Sequence, residues 1–132
     1  MKVIFNTISF KSENINLHRE KEIYDENNKL IRLIKYDEFG RDTDSFEYNA
    51  NREIIGYQHK EYTDNGCIET YKNQFQQYRR IIKTELKDSN THYIEEFISV
   101  TSPEKNYINE FVRDIAGKLI KVINNGKVVN LK

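Results

Sequence analysis

The stretch Tyr24-Asp25-Glu26-Asn27-Asn28-Lys29-Leu30, followed by Tyr36-Asp37-Glu38-Phe39-Gly40-Arg41-Asp42, decides how this chain is read. Degenerate copies come next, at Tyr48-Asn49-Ala50-Asn51-Arg52-Glu53 and Tyr62-Thr63-Asp64-Asn65-Gly66-Cys67-Ile68. A late echo is Asp114-Ile115-Ala116-Gly117-Lys118-Leu119. The tyrosines of the first four copies are 12, 12 and 14 residues apart. A fixed internal period means that one local unit is copied along the chain. A unit of this length fits a strand, a tight turn and the approach to the next strand.

The turn candidates are Asn27-Asn28, Phe39-Gly40, Ala50-Asn51 and Asn65-Gly66, then Ser89-Asn90, Ala116-Gly117 and Asn125-Gly126. Asn and Gly tolerate positive φ at low cost, and tight hairpin turns require it. Between the turns the residues alternate with period two. Leu30, Arg32, Ile34 and Tyr36 fall on one face, with Ile31, Leu33 and Lys35 on the other. Residues 42–48 and 92–100 alternate in the same way, and residues 118–123 and 127–131 form a closing apolar hairpin. Such alternation marks strands with one face inward and one wet. Here both faces are mixed, which favours an open sheet over a thick sandwich.

The expected fold is all-β: an open, twisted antiparallel β-meander of repeated hairpins in a single domain, residues 1–132. Residues 1–22 form a less regular N-terminal segment and 23–132 the repeat sheet. Val3, Phe5 and Ile8 suit an edge strand, while Ser12 to Glu22 is polar and reads as a loop or short helix. One stretch competes. In residues 68–86, Ile68, Tyr71, Phe75, Tyr78, Ile82 and Leu86 recur at steps of three and four, an amphipathic helix pattern. The regular flanking units favour two strands around Asn73 to Gln77. Pro103 marks a turn between the strands near residues 94–100 and 107–112.

Composition sets outer bounds. Hydrophobic residues are 37% of the chain, against roughly 45–50% in ordinary globular domains. The core is therefore thin, but nine Tyr and seven Phe still supply apolar area. Lys plus Arg and Asp plus Glu each total 21. With no basic excess, nucleic acid is not an expected partner. No apolar run reaches the roughly 18 residues of a membrane span, and no secretory signal is read at residues 1–10. The single cysteine, Cys67, excludes an internal disulfide framework. A cytoplasmic protein is the resulting expectation.

The stretches beginning at Tyr24 and Tyr36 resemble the YD repeat of bacterial RHS and teneurin-like proteins. That pattern is Tyr-Asp, two or three spacers, Gly or Asn, a basic residue, then an apolar one. The first copy matches with Asn28 in the glycine place. The second matches up to Arg41 and departs at Asp42. The third loses a spacer and its aspartate. The fourth carries Thr63 for the aspartate and Cys67 for the basic residue. The resemblance covers about residues 23–68. It implies antiparallel strands, which in that family spiral into a shell around a toxin domain. This chain holds too few repeats to enclose anything. Its size and repeats are similar to small immunity or antitoxin proteins that accompany bacterial polymorphic toxins.

No catalytic constellation stands out. His18, His59 and His92 lack partners at metal-ligand spacing, and no phosphate loop or nucleophile elbow occurs. No catalytic, cofactor or metal site is expected. The one notable charge cluster is Asp37, Glu38, Asp42, Asp44 and Glu47, interrupted only by Arg41, for a net −4 over residues 37–47. It reads either as a solvated hairpin edge or as an acidic patch that meets a basic cleft on a nuclease-type toxin. The expected function is an immunity protein that masks the active site of a cognate toxin, acting as a monomer or an edge-paired homodimer. A structural relative of a YD-repeat shell without separate activity is the alternative. An enzyme using Asp42, Asp44 and Glu47 is a third.

Overall fold

The computed structural model describes residues 2–9 and 17–131. Eleven strands run in chain order: β1 (Lys2–Ser9), β2 (Leu17–Tyr24), β3 (Leu30–Tyr36), β4 (Asp42–Tyr48), β5 (Ile54–Thr63), β6 (Gly66–Asn73), β7 (Gln77–Lys87), β8 (Asn90–Ser99), β9 (Tyr107–Arg113), β10 (Leu119–Asn124) and β11 (Lys127–Val129). A 3₁₀ turn, Pro103–Lys105, lies between β8 and β9. Order in the sheet equals order in the chain, an open antiparallel meander. By its contacts the chain divides into two compact units, Met1–Lys60 with Tyr71–Phe75, and Glu61–Thr70 with Gln76–Lys132.

The recurring motif has one physical meaning. At Asp25, Asp37, Asn49 and Asp114, the side-chain oxygen accepts the backbone N–H groups two and four residues on, at 2.8–3.0 Å. The residue three further on donates its N–H back to the carbonyl of the Asp or Asn at 2.9–3.1 Å. That residue has positive φ in all four copies: Asn28 at 60°, Gly40 at 79°, Arg52 at 62° and Gly117 at 85°. This is a type I turn followed by a left-handed residue, the standard three-residue hairpin loop. Three residues later each copy carries a β-bulge, marked by register shifts beside Tyr24, Tyr36, Tyr48 and Leu119.

Residues 68–86 form the two strands that the regular flanking units favour, β6 and β7 with the turn between Asn73 and Gln77, and no helix. The apparent helical stripe mixes residues from two strands with Phe75, which sits on the turn at 80% exposure. Residues 17–22, read as part of a loop or short helix, belong to β2, while residues 12–16 of that segment lie outside the described residues. This polar strand is ladder-bonded on both sides, to β1 and β3, and Glu20 stands opposite Lys35. Opposite charges across a ladder support a strand that buries little. The turn expected at Ser89-Asn90 is at Asp88-Ser89, both at positive φ, with Asn90 already paired to Lys87.

A further departure concerns Gly66, which has no positive φ and opens β6. A Cβ there would collide with the carbonyl oxygen of Ile82. Glycine is required by the closeness of the β7 backbone, and the turn conformation is a separate matter.

Packing is thin, as the composition implied. Among the described residues only Val112 and Val122 are buried apolar side chains. All seven residues of β4 are half-buried, so neither face is sealed. In the first unit, Leu33, Phe46 and Tyr57 form a cross-strand row, and the Phe46 and Tyr57 rings lie 4.9 Å apart. In the second unit, Phe97 stacks on Tyr107 at 5.3 Å and Tyr78 leans on Phe97 at 5.1 Å. Tyr93, Phe111, Val122 and Val129 make a second row there. Such cross-strand pairs each contribute about 0.2–1 kcal/mol. No helix among the described residues is long and apolar enough to cross a membrane.

Candidate protein-binding surface

The five acidic residues singled out in the sequence lie on the β3–β4 hairpin, but four of them are engaged within the sheet. Asp37 holds the turn and pairs with Arg41 Nε at 2.9 Å. Asp42 accepts from Lys60 Nζ at 2.8 Å. Glu47 lies 3.4 Å from Arg32, directly across the β3–β4 ladder. Asp44 accepts from the Tyr57 hydroxyl at 2.7 Å and from Thr43 Oγ1 at 3.0 Å, and His59 Nδ1 lies 2.8 Å away. Glu38 is exposed at the tip. Because the β4 bulge falls at Thr43, Asp42 and Asp44 turn to different neighbours, one to Tyr36 and the other to Lys35.

These contacts set the titration of the cluster. Burial pushes the Asp44 carboxyl up, and the hydrogen bonds from Tyr57, His59 and Thr43 outweigh it, so its pKa lies below the ordinary carboxylate value. The same hydrogen bond, with burial and the carboxylate charge, pushes the Tyr57 hydroxyl up to about 12. Burial likewise opposes ionisation of Asp37, but the Arg41 N–H and guanidinium and the Phe39 N–H hold its pKa low.

The remaining candidates are scattered. His92 Nδ1 lies 2.9 Å from Glu110, in the second unit. His18 is in β2 and Cys67 is half-buried in β6. Among the described residues no group of three or more His, Cys, Asp or Glu is placed to hold a metal ion.

A second polar cluster, in the second unit, has no signal in the sequence. Arg80 reaches Glu95 at 3.6 Å and Glu69 at 3.9 Å. Tyr107 donates to Glu95 at 2.8 Å, and Tyr78 to Glu69 at 3.4 Å. Glu69 is only 8% exposed, and the Arg80 Nε is buried without a hydrogen-bond partner. Burial first, then the bond to Glu95, raises the Tyr107 pKa. The cluster is an ionic network beside the Phe97–Tyr107 stack, since Arg80 stands opposite Phe97 in the ladder.

The first unit also presents an open groove of about 470 Å³, walled by Glu53, Lys72 and Gln74 and floored by Ile54, Ile55 and Gly56. Ile55 joins it to a second hollow of about 350 Å³ lined by Ile23, Ile31, Arg32, Glu47 and Tyr48. The bulges make this floor. Ile31 and Ile55 are the extra residues of β3 and β5, beside Arg32 and Gly56 in the row Arg32–Glu47–Gly56. A bulge re-aims a side chain that plain alternation would place elsewhere. Gly56 keeps the floor low, since a Cβ there would press on the Tyr71 hydroxyl and the Glu47 carboxylate at 3.1–3.2 Å. Ile54 and Ile55 remain 57% and 45% exposed. An arrangement of open aliphatic floor and charged walls suits contact with another macromolecule. No protein-family model matches the sequence, and neither a curated protein nor a solved structure matches it.

Proposed function

We propose that this chain is a bacterial immunity protein that binds a cognate toxin and neutralises it by masking the toxin's active site. The observation that carries this reading is the imbalance of apolar surface. Two apolar side chains are buried among the described residues, whereas fourteen large ones are exposed. Single exposed apolar residues are ordinary, but contiguous patches mark contact surfaces. The YD-repeat resemblance over residues 23–68 supplies the toxin as the kind of partner. Binding of this sort needs no cofactor and no chemistry from the chain.

The test is expression in a bacterial host of the reading frame adjacent to this gene, with and without this protein. Growth arrest that the protein relieves supports the reading. Arrest that it leaves untouched sinks it. A second reading, a shell relative without separate activity, is favoured by the four Asp/Asn-held turns with the same hydrogen bonds; it expects no relief of arrest.

A further inference from the structure

We propose that the groove over β2–β5 and β6 of the first unit receives a basic amphipathic helix of the partner protein. This rests on the toxin-binding reading above and names the surface that would serve it. The apolar spacing comes first. Ile31 and Ile55 stand at the same level of the sheet, two strands apart, each next to a member of the row Arg32–Glu47–Gly56. Two inter-strand steps are about 9.6 Å. Seven residues of helix advance about 10.5 Å. A helix lying across the strands therefore sets its i and i+7 aliphatic side chains over Ile31 and Ile55, and its i+3 or i+4 residue between them. An extended segment fits less well, because its same-face residues recur every 6.4–6.8 Å or so.

Charge sets the second requirement. The groove and the hollows joined to it are lined by four carboxylates, Asp25, Glu26, Glu47 and Glu53, and by two cations, Arg32 and Lys72. Arg32 and Glu47 satisfy each other. That leaves three lining carboxylates, Asp25, Glu26 and Glu53, against one lining cation, Lys72, while Lys29 is held at the Ala50 carbonyl, 3.5 Å away. A helix with lysine or arginine flanking its aliphatic face complements that wall, and an acidic one is repelled.

The experiment uses the full chain with isoleucine-methyl NMR. The probe is a synthetic amphipathic helix of about 20 residues, leucine on one face and lysine on its flanks, beside a twin with glutamate for lysine. The lysine peptide is expected to shift the methyls of Ile31, Ile54 and Ile55. Ile55→Glu is expected to weaken it about tenfold and Glu53→Lys several-fold; Glu53 is an exposed turn residue, so the second variant keeps the test informative should the first misfold. Equal binding of both peptides, or shifts spread over both units, overturns the proposal. Growth relief by Ile55→Glu equal to that by the natural chain overturns the groove and leaves toxin neutralisation standing. Failure of the natural chain to relieve arrest removes the toxin reading while the peptide result still decides the groove.

Discussion

The Tyr57 hydroxyl donates a 2.7 Å hydrogen bond to the carboxylate of Asp44, joining β5 to β4 across the first unit. The bond holds both groups in the forms they have at neutral pH. Asp44 has a depressed folded pKa, so its contribution is complete above the ordinary value of 3.8 and is lost as pH falls through the folded one. Tyr57 has a raised folded pKa, so its contribution is complete below 10.0 and is lost as pH rises through about 12. NMR of labelled tyrosine rings is expected to place the Tyr57 midpoint near 12. In Asp44→Asn it should move down toward 10.0, the ordinary value. A Tyr57 midpoint at the ordinary 10.0 would contradict this geometry.

The repeated turn depends on its side-chain oxygen. Asp37→Ala removes the acceptor for two N–H groups and the partner of Arg41, and should cost about 1 kcal/mol in urea unfolding. Asp37→Asn should cost less, because Asn49 already performs the same task in the third copy. Equal losses for the two variants would show that the turn owes its stability to the ion pair alone.

Two glycines should fail for different reasons. Gly40→Ala meets open space and suffers only from its φ of +79°, a cost of about 1–2 kcal/mol. Gly66→Ala drives a methyl group into the Ile82 carbonyl and should separate β6 from β7. Thermal unfolding of both variants checks the order; a Gly66→Ala protein as stable as Gly40→Ala would contradict the close approach.

These glycines show how much of the fold was legible. The Asp/Asn-held turns could be read because they are made by five consecutive residues, each with its own preference for position. The long apolar alternation of β3 was legible for the same local reason. Polar β2 was not, because its strand state comes from neighbours on both sides. Gly66 could be placed at a turn but not explained, since Ile82 is sixteen residues away. The acidic residues 37–47 were visible as a run of charge. Their partners Lys60, His59 and Arg32 emerge only once the ladders are in register. Bulges at Ile31 and Ile55 shift that register, so the groove floor had no periodic signal.

The Arg80 network should behave as a unit. Arg80→Met leaves the Glu69 carboxylate with the Tyr78 hydroxyl but no cation, and should destabilise the protein by about 1–2 kcal/mol. Adding Glu69→Gln should recover part of that loss, since the uncompensated charge is gone. A double-mutant cycle on unfolding free energy measures the coupling, and strict additivity would show that Arg80 and Glu69 do not interact.

Calorimetric titration of the purified chain with the purified product of the reading frame adjacent to its gene bears most directly on the docking surface. The proposed toxin-masking role predicts a saturable complex with a negative heat-capacity change from apolar burial. No heat of binding at any temperature, with the protein folded, would contradict it.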